Sequence, residues 1–201
     1  MTTPIHKTID VHNDLRLRAL LAALDRSPNQ APVLRLWGHS IIPSFFPTSE
    51  GFATYFKMPH SKESLIRSAE VFGVRRALCG AEDPSVFVQK EILVLVCKPP
   101  DLDTPESWSC ENEELVPYML PLPYSGSEQG PPAEYVAIAI GRRIQFFRWR
   151  AGEKVKLKRM DKDPFDIFSD EDARMVARRL NGIKDRTWDY EKWKPVSGDG
   201  S

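Results

Sequence analysis

At 201 residues the chain is long enough for one domain with a substantial core, a size at which about 70% of the unfolded surface is buried on folding. An apolar content of 41% with 10% aromatics excludes global disorder. The formal net charge of zero hides a segregation: residues 101–133 hold seven acids and no base, while 134–160 hold eight bases and two acids, so a strongly acidic stretch runs straight into a strongly basic one.

No apolar run approaches the ~18 residues of a spanning helix, and MTTPIHKTIDVHND lacks the apolar stretch and cleavage site of a secretory signal. Cytoplasm or nucleus is therefore the expected location, with no membrane contact. Cys79, Cys97 and Cys110 are odd in number and widely spaced, which suggests reduced residues rather than a disulfide framework or a metal knuckle.

From the N-terminus, Asp10 to Asp25 reads as an amphipathic helix with Leu17, Leu20, Leu21 and Leu24 on one stripe, and Asp10, Asn13 or Asp14 is placed to cap it. Residues 32–60 are broken by Pro43, Pro47 and Pro59 and predict loops, with a short helix near Gly51 to Phe56. Ser61 begins a predicted helix, SKESLIRSAEVF, ending near Gly73. EILVLVCK, Glu91 to Lys98, is a continuous apolar run of strand length, as expected of a strand buried on both faces. Residues 101–132, with six Pro and no basic residue, form an excursion whose middle carries Trp108, Tyr118, Met119, Leu120 and Leu122 for packing.

A three-stranded meander is predicted next: Tyr135 to Ile140, a Gly-X turn at Gly141 and Arg142, Arg143 to Trp149, a turn at Ala151 and Gly152, and Lys154 to Arg159. The last element is a helix with Ser169 and Asp172 as a capping pair, DEDA in its first turn, an inner face of Ala173, Val176, Ala177 and Leu180, and Asn181 and Gly182 closing it. TWDYEKWKP beyond it supplies three aromatics, and residues 196–201 are expected to fray.

Two phrases resemble parts of known families. IDVHNDL, Ile9 to Leu15, is similar to the start of the membrane dipeptidase family, where such a run supplies zinc ligands at the end of the first strand of a TIM-type barrel; the resemblance implies ligand roles for His12 and Asp14. It spans seven residues and runs straight into a helix pattern, so helix capping is the reading adopted for them. ILVLVCK resembles the strand that carries the lysine of PD-(D/E)xK nucleases, whose core is a helix, a strand meander, a helix and a final strand, and which bind Mg²⁺. That resemblance implies the lysine role for Lys98, but position 96, where the family has an acid, is Val. The DxD spacing of Asp161 and Asp163 lacks the Gly and terminal Glu of a calcium loop, and these acids are read as turn and helix-start residues.

Alternation along the meander puts Ile144 and Phe146 on one face of the middle strand and Arg143, Phe147 and Trp149 on the other, with Lys154, Lys156 and Lys158 pointing away from the core. Exposed aromatics beside cations suit base stacking. A sheet covered on both faces would bury those aromatics instead, which is the reading favoured here.

The expectation is thus one α+β domain over residues 1–201: N-terminal helices, one buried strand, an acidic Pro-rich excursion at 101–132, a three-stranded antiparallel meander and a C-terminal capping helix. No stretch forms a catalytic, metal or nucleotide motif and none implies a cofactor. The expected function is a non-enzymatic interaction or regulatory role with another protein as partner, through Arg143, Phe147, Arg148, Trp149, Arg150, Lys154, Lys156 and Lys158 and the Trp-rich C-terminal segment. Nucleic-acid binding or nuclease-like processing by the same basic sheet is the alternative.

Overall fold

Asp14 is the residue that starts the first helix, and the reason is local: its carboxylate accepts from the backbone N–H groups of Arg16 at 2.8 Å and Leu17 at 3.1 Å, two donors with no partner inside the helix. A computed structural model describes residues 6–27, 29–57, 69–79, 87–108, 118, 134–149 and 157–186. Helix α1, Leu15–Arg26, buries Leu17, Leu21 and Leu24. Replacing Asp14 by Ala is expected to lower stability by about 1 kcal/mol, measurable as a shift in the urea midpoint with an unchanged slope.

Residues 32–60 depart from the predicted loops. Helix α2, Gln30–Leu36, continues through a wider π turn at Trp37–Ile41 into α3, Ile42–Phe45. Pro32 lies in the first turn of α2, where a missing N–H costs little. Pro43 would collide with the preceding turn of a regular helix, and the π turn next to it provides the relief. The carbonyl of His39, four residues before Pro43, accepts from Arg16 Nη2 at 3.3 Å instead. The predicted short helix near Gly51 is strand β1, Phe52–Phe56, whose aromatic and Thr content suits a pleated surface.

The helix predicted from Ser61 is also corrected at its end. Its first residues lie outside the described part, and Glu70–Cys79 is strand β2, paired on both sides, with Gly73 inside it rather than capping a helix. Strand β3, Phe87–Lys98, extends the predicted buried run toward the N-terminus. Strands β4, Tyr135–Ile140, and β5, Arg143–Trp149, form the expected hairpin around Gly141, whose φ of 58° favours glycine. The third strand of the meander is described as β6, Leu157–Arg159; Lys154 and Lys156 lie outside the described residues. A short β7, Phe165–Asp166, pairs with the first residues of β5.

The seven strands among the described residues belong to one sheet in the order β1-β2-β3-β4-β5-β6, with β7 also on β5. The α+β class holds, but the sheet is larger than one strand plus a meander. Pairing is antiparallel except between β3 and β4, which are parallel. Parallel neighbours need a crossover of a dozen residues or more, and the acidic Pro-rich excursion is that crossover.

Helices α1 to α3 and the last helix, α4, Asp170–Arg186, pack on one face of the sheet in a core that includes Trp37, Phe45, Phe72, Leu95 and Phe146. The other face carries Val71, Val94, Val96, Val136, Ile138, Ile140 and Phe147, with Trp108 and Tyr118 of the crossover in the same cluster.

Helix α4 begins as expected, with Ser169 Oγ accepting from the Asp172 N–H and three acids in the first turn. It does not stop at Asn181 and Gly182 but runs to Arg186. Asn181 is engaged in a tertiary contact: its amide donates to the Lys7 carbonyl at 2.8 Å and accepts from the Lys7 N–H at 3.3 Å. A Cβ on Gly182 would meet nothing, so no close approach obliges the chain to turn there.

Candidate functional site

The sheet face opposite the helices gathers two polar centres. The first stands where β1, β2 and β3 meet. Between Val74 and Arg75 the β2–β3 register shifts, leaving Ile92 as an extra residue on β3. Such a bulge reverses the facing of every residue beyond it. Leu93 and Ile92 face the helices, and Glu91 is turned to the opposite face.

There the Glu91 carboxylate accepts from Tyr55 Oη at 2.7 Å and pairs with the Lys57 ammonium. The Lys57 and Glu91 side chains are 0% and 5% exposed. Space for the cluster comes from Gly73, where a Cβ would fall 2.5 Å from the Tyr55 ring and 2.6 Å from Glu91 Oε1. Arg75 stacks over Tyr55 at 4.8 Å. Burial pushes the Glu91 carboxyl above its ordinary range and the Lys57 ammonium below its own, and in each case it outweighs the pull of the partner.

The second centre joins the crossover to the basic strands. Trp108, 5% exposed, donates its indole N–H to Asp103 Oδ1 at 2.7 Å. Arg143 Nη1 donates to both oxygens of Asp103 at 3.0 and 2.9 Å, and its guanidinium lies 5.5 Å from the centre of the Trp108 ring. Lys98 Nζ donates to the Ser107 carbonyl at 3.0 Å, and Arg159 Nη2 to the Trp108 carbonyl at 3.4 Å.

The expected contact residues divide as follows. Arg143 pairs with Asp103, and Arg148 with Glu134. Lys158 is exposed on β6. Phe147 is 1% exposed, buried beneath the crossover, and offers no free ring to a base there. The Trp149 side chain, Arg150, Lys154, Lys156 and the Trp-rich C-terminal segment lie outside the described residues. Asp103 and Glu91 escaped sequence reasoning, because a single acid in a Pro-rich stretch and another at the head of an apolar run carry no local pattern.

Both family resemblances can be placed. Asp14 is engaged as a helix cap, and His12 Nε2 lies 3.3 Å from Asp170 with its ring edge on Phe168. Around Lys98, Val96 precedes it by two residues on the same face and is directly paired with Val71 of β2. Both positions are valine, in an apolar cluster.

Among the described residues no group of three or more His, Cys, Asp or Glu is placed to hold a metal ion, and no helix is long and apolar enough to cross a membrane. Burial pushes the Cys97 thiol far above its ordinary range, which removes its nucleophilic form. An open cleft of about 210 Å³ beside the β4–β5 turn, lined by Asp25, Asp103, Arg142, Arg143 and Asp166 among others, is smaller than the roughly 300–1,000 Å³ of typical small-molecule sites. Comparison with protein-family models, curated proteins and solved structures gives no match.

Proposed function

We propose that this chain is a non-enzymatic interaction or regulatory protein of the cytoplasm or nucleus, whose basic strands β5 and β6 receive an acidic segment of a protein partner. The reading rests on one observation: Arg143, the first residue of β5, already holds a carboxylate of the chain's own acidic crossover, Asp103. A surface that takes carboxylates in its resting state is built for acidic peptide. With Phe147 buried, the stacking platform that single-stranded nucleic acid uses is reduced at this strand.

Such exposed pairs are weak, about 0–1 kcal/mol each, so a partner with several acids competes with them readily. The test compares the whole chain with its Asp103→Asn variant for binding of a labelled Asp/Glu-rich peptide and a labelled single-stranded oligonucleotide, by fluorescence anisotropy at low and high salt. Peptide binding that strengthens in the variant and weakens with salt is the expected result. Oligonucleotide binding with a steep salt dependence and no peptide binding would transfer the role to nucleic acid.

A further inference from the structure

We propose that residues 103–108, DTPESW, are an intramolecular ligand, and that the pocket they fill recognises a partner peptide with an acid five residues before a tryptophan. This inference rests on the interaction reading above and deepens it by naming what the surface reads.

The contacts made by this segment fall into two kinds. Lys98 of β3 and Arg159 of β6 bind the main-chain carbonyls of Ser107 and Trp108, which any peptide of the same course presents. Two of the segment's side chains are held by the sheet through the contacts described above. Asp103 is held by Arg143 of β5, and Trp108 is packed into the apolar cluster of Val136, Ile138 and Phe147 with Arg143 against its ring. The indole N–H in turn binds Asp103, so acid and aromatic are recognised as a pair at a fixed spacing. Three cations from three strands converge on one six-residue segment, around a buried Trp and an Arg, residue types that dominate binding energy at interfaces.

On the same face, between Arg143 and Phe147, Gln145 is 0% exposed. Its amide donates to the Asp161 carbonyl at 2.9 Å, while its carbonyl oxygen finds no donor among the described residues. The segment itself is held by one short 3₁₀ turn, Pro105–Trp108, and its ion pair is partly exposed at 37% and 32%. Both features favour release to a competitor.

A pocket occupied by its own chain about nine-tenths of the time binds an external ligand about tenfold more weakly than an empty one. The test therefore measures binding of a labelled DTPESW peptide, and of the same residues in scrambled order, to the whole chain, to Trp108→Ala and to Trp108→Ala/Arg143→Ala, with folding checked by circular dichroism. The expected result is that Trp108→Ala binds the ordered peptide at least about tenfold more tightly than the unaltered chain does, prefers it to the scrambled one, and loses it when Arg143 is removed. Equal binding of both peptides overturns the pocket while leaving acidic capture standing; binding of neither overturns both. Should Trp108→Ala fail to fold, Asp103→Asn leaves the apolar packing in place and is expected to prefer the ordered peptide to the scrambled one and to bind it more tightly than the unaltered chain does, by the few-fold that one exposed ion pair allows; equal binding of both peptides again overturns the pocket.

Discussion

Replacing Lys57 by Met is expected to destabilise the protein by about 3–5 kcal/mol, because it leaves the Glu91 carboxylate buried without its counter-charge. The double variant Lys57→Met/Glu91→Met is expected to lie within about 1.5 kcal/mol of the unaltered protein or above it, since two unbranched apolar side chains replace the pair at similar volume. Urea unfolding of the three proteins checks both statements, and a double variant as unstable as the single one would mean that the pair itself supplies net stability.

The pair also sets a pH dependence whose sign follows from the shifts. The Glu91 pKa is raised above 4.5 in the fold, so its favourable contribution is full below 4.5 and is lost as pH rises through the raised value. The Lys57 pKa is lowered below 10.5, so its contribution is full above 10.5 and is lost as pH falls through the lowered value. The advantage of the double variant over the unaltered protein is therefore largest between the two displaced values and shrinks toward both ends, which unfolding curves measured across pH will trace.

Replacing Trp37 by Ala is expected to cost about 3–5 kcal/mol. Its side chain is 0% exposed in the middle of the helix-side core, and its indole N–H donates to the Gly141 carbonyl at 2.9 Å, tying the π turn to the β4–β5 turn. Trp37→Phe keeps most of the apolar volume and leaves that carbonyl without its donor, for a smaller loss of about 1–3 kcal/mol. Because Arg142 and Arg143 follow Gly141 directly, Trp37→Phe is also expected to weaken capture of acidic peptide, by loosening the turn that aims Arg143 at Asp103. Equal unfolding midpoints for Trp37→Phe and the unaltered chain would remove the role given to this hydrogen bond.

Elements whose stability is mainly local were legible in the chain. Asp14 announces α1 through its own carboxylate, Gly141 marks a two-residue turn, and the acids after Ser169 mark the start of α4. Alternation along Arg143 to Trp149 correctly assigned Ile144 and Phe146 to one face and Phe147 to the other. The misreadings share another cause. Pro43 argues against a helix until a π turn and the Arg16 side chain accommodate it, and Glu70 to Cys79 is a strand because β1 and β3 lie on either side of it.

The candidate sites were less legible still, since each joins residues far apart in the chain. Asp103 meets Arg143 forty residues on, and Lys57 meets Glu91 thirty-four residues on. By itself the sequence determined the class of the fold, the apolar runs that become its buried strands, and the acidic stretch set before a basic one, all of which depend on short-range periodicity and composition. Only the tertiary structure decided that β3 and β4 lie parallel, which makes the acidic stretch the crossover between them, with Trp108 and Tyr118 packed on the sheet. It alone placed the bulge at Ile92 that turns Glu91 toward Lys57. Register and facing come from pairing between distant strands, where a shift of one residue exchanges the two faces, and nothing in a local stretch of sequence encodes which way that exchange falls.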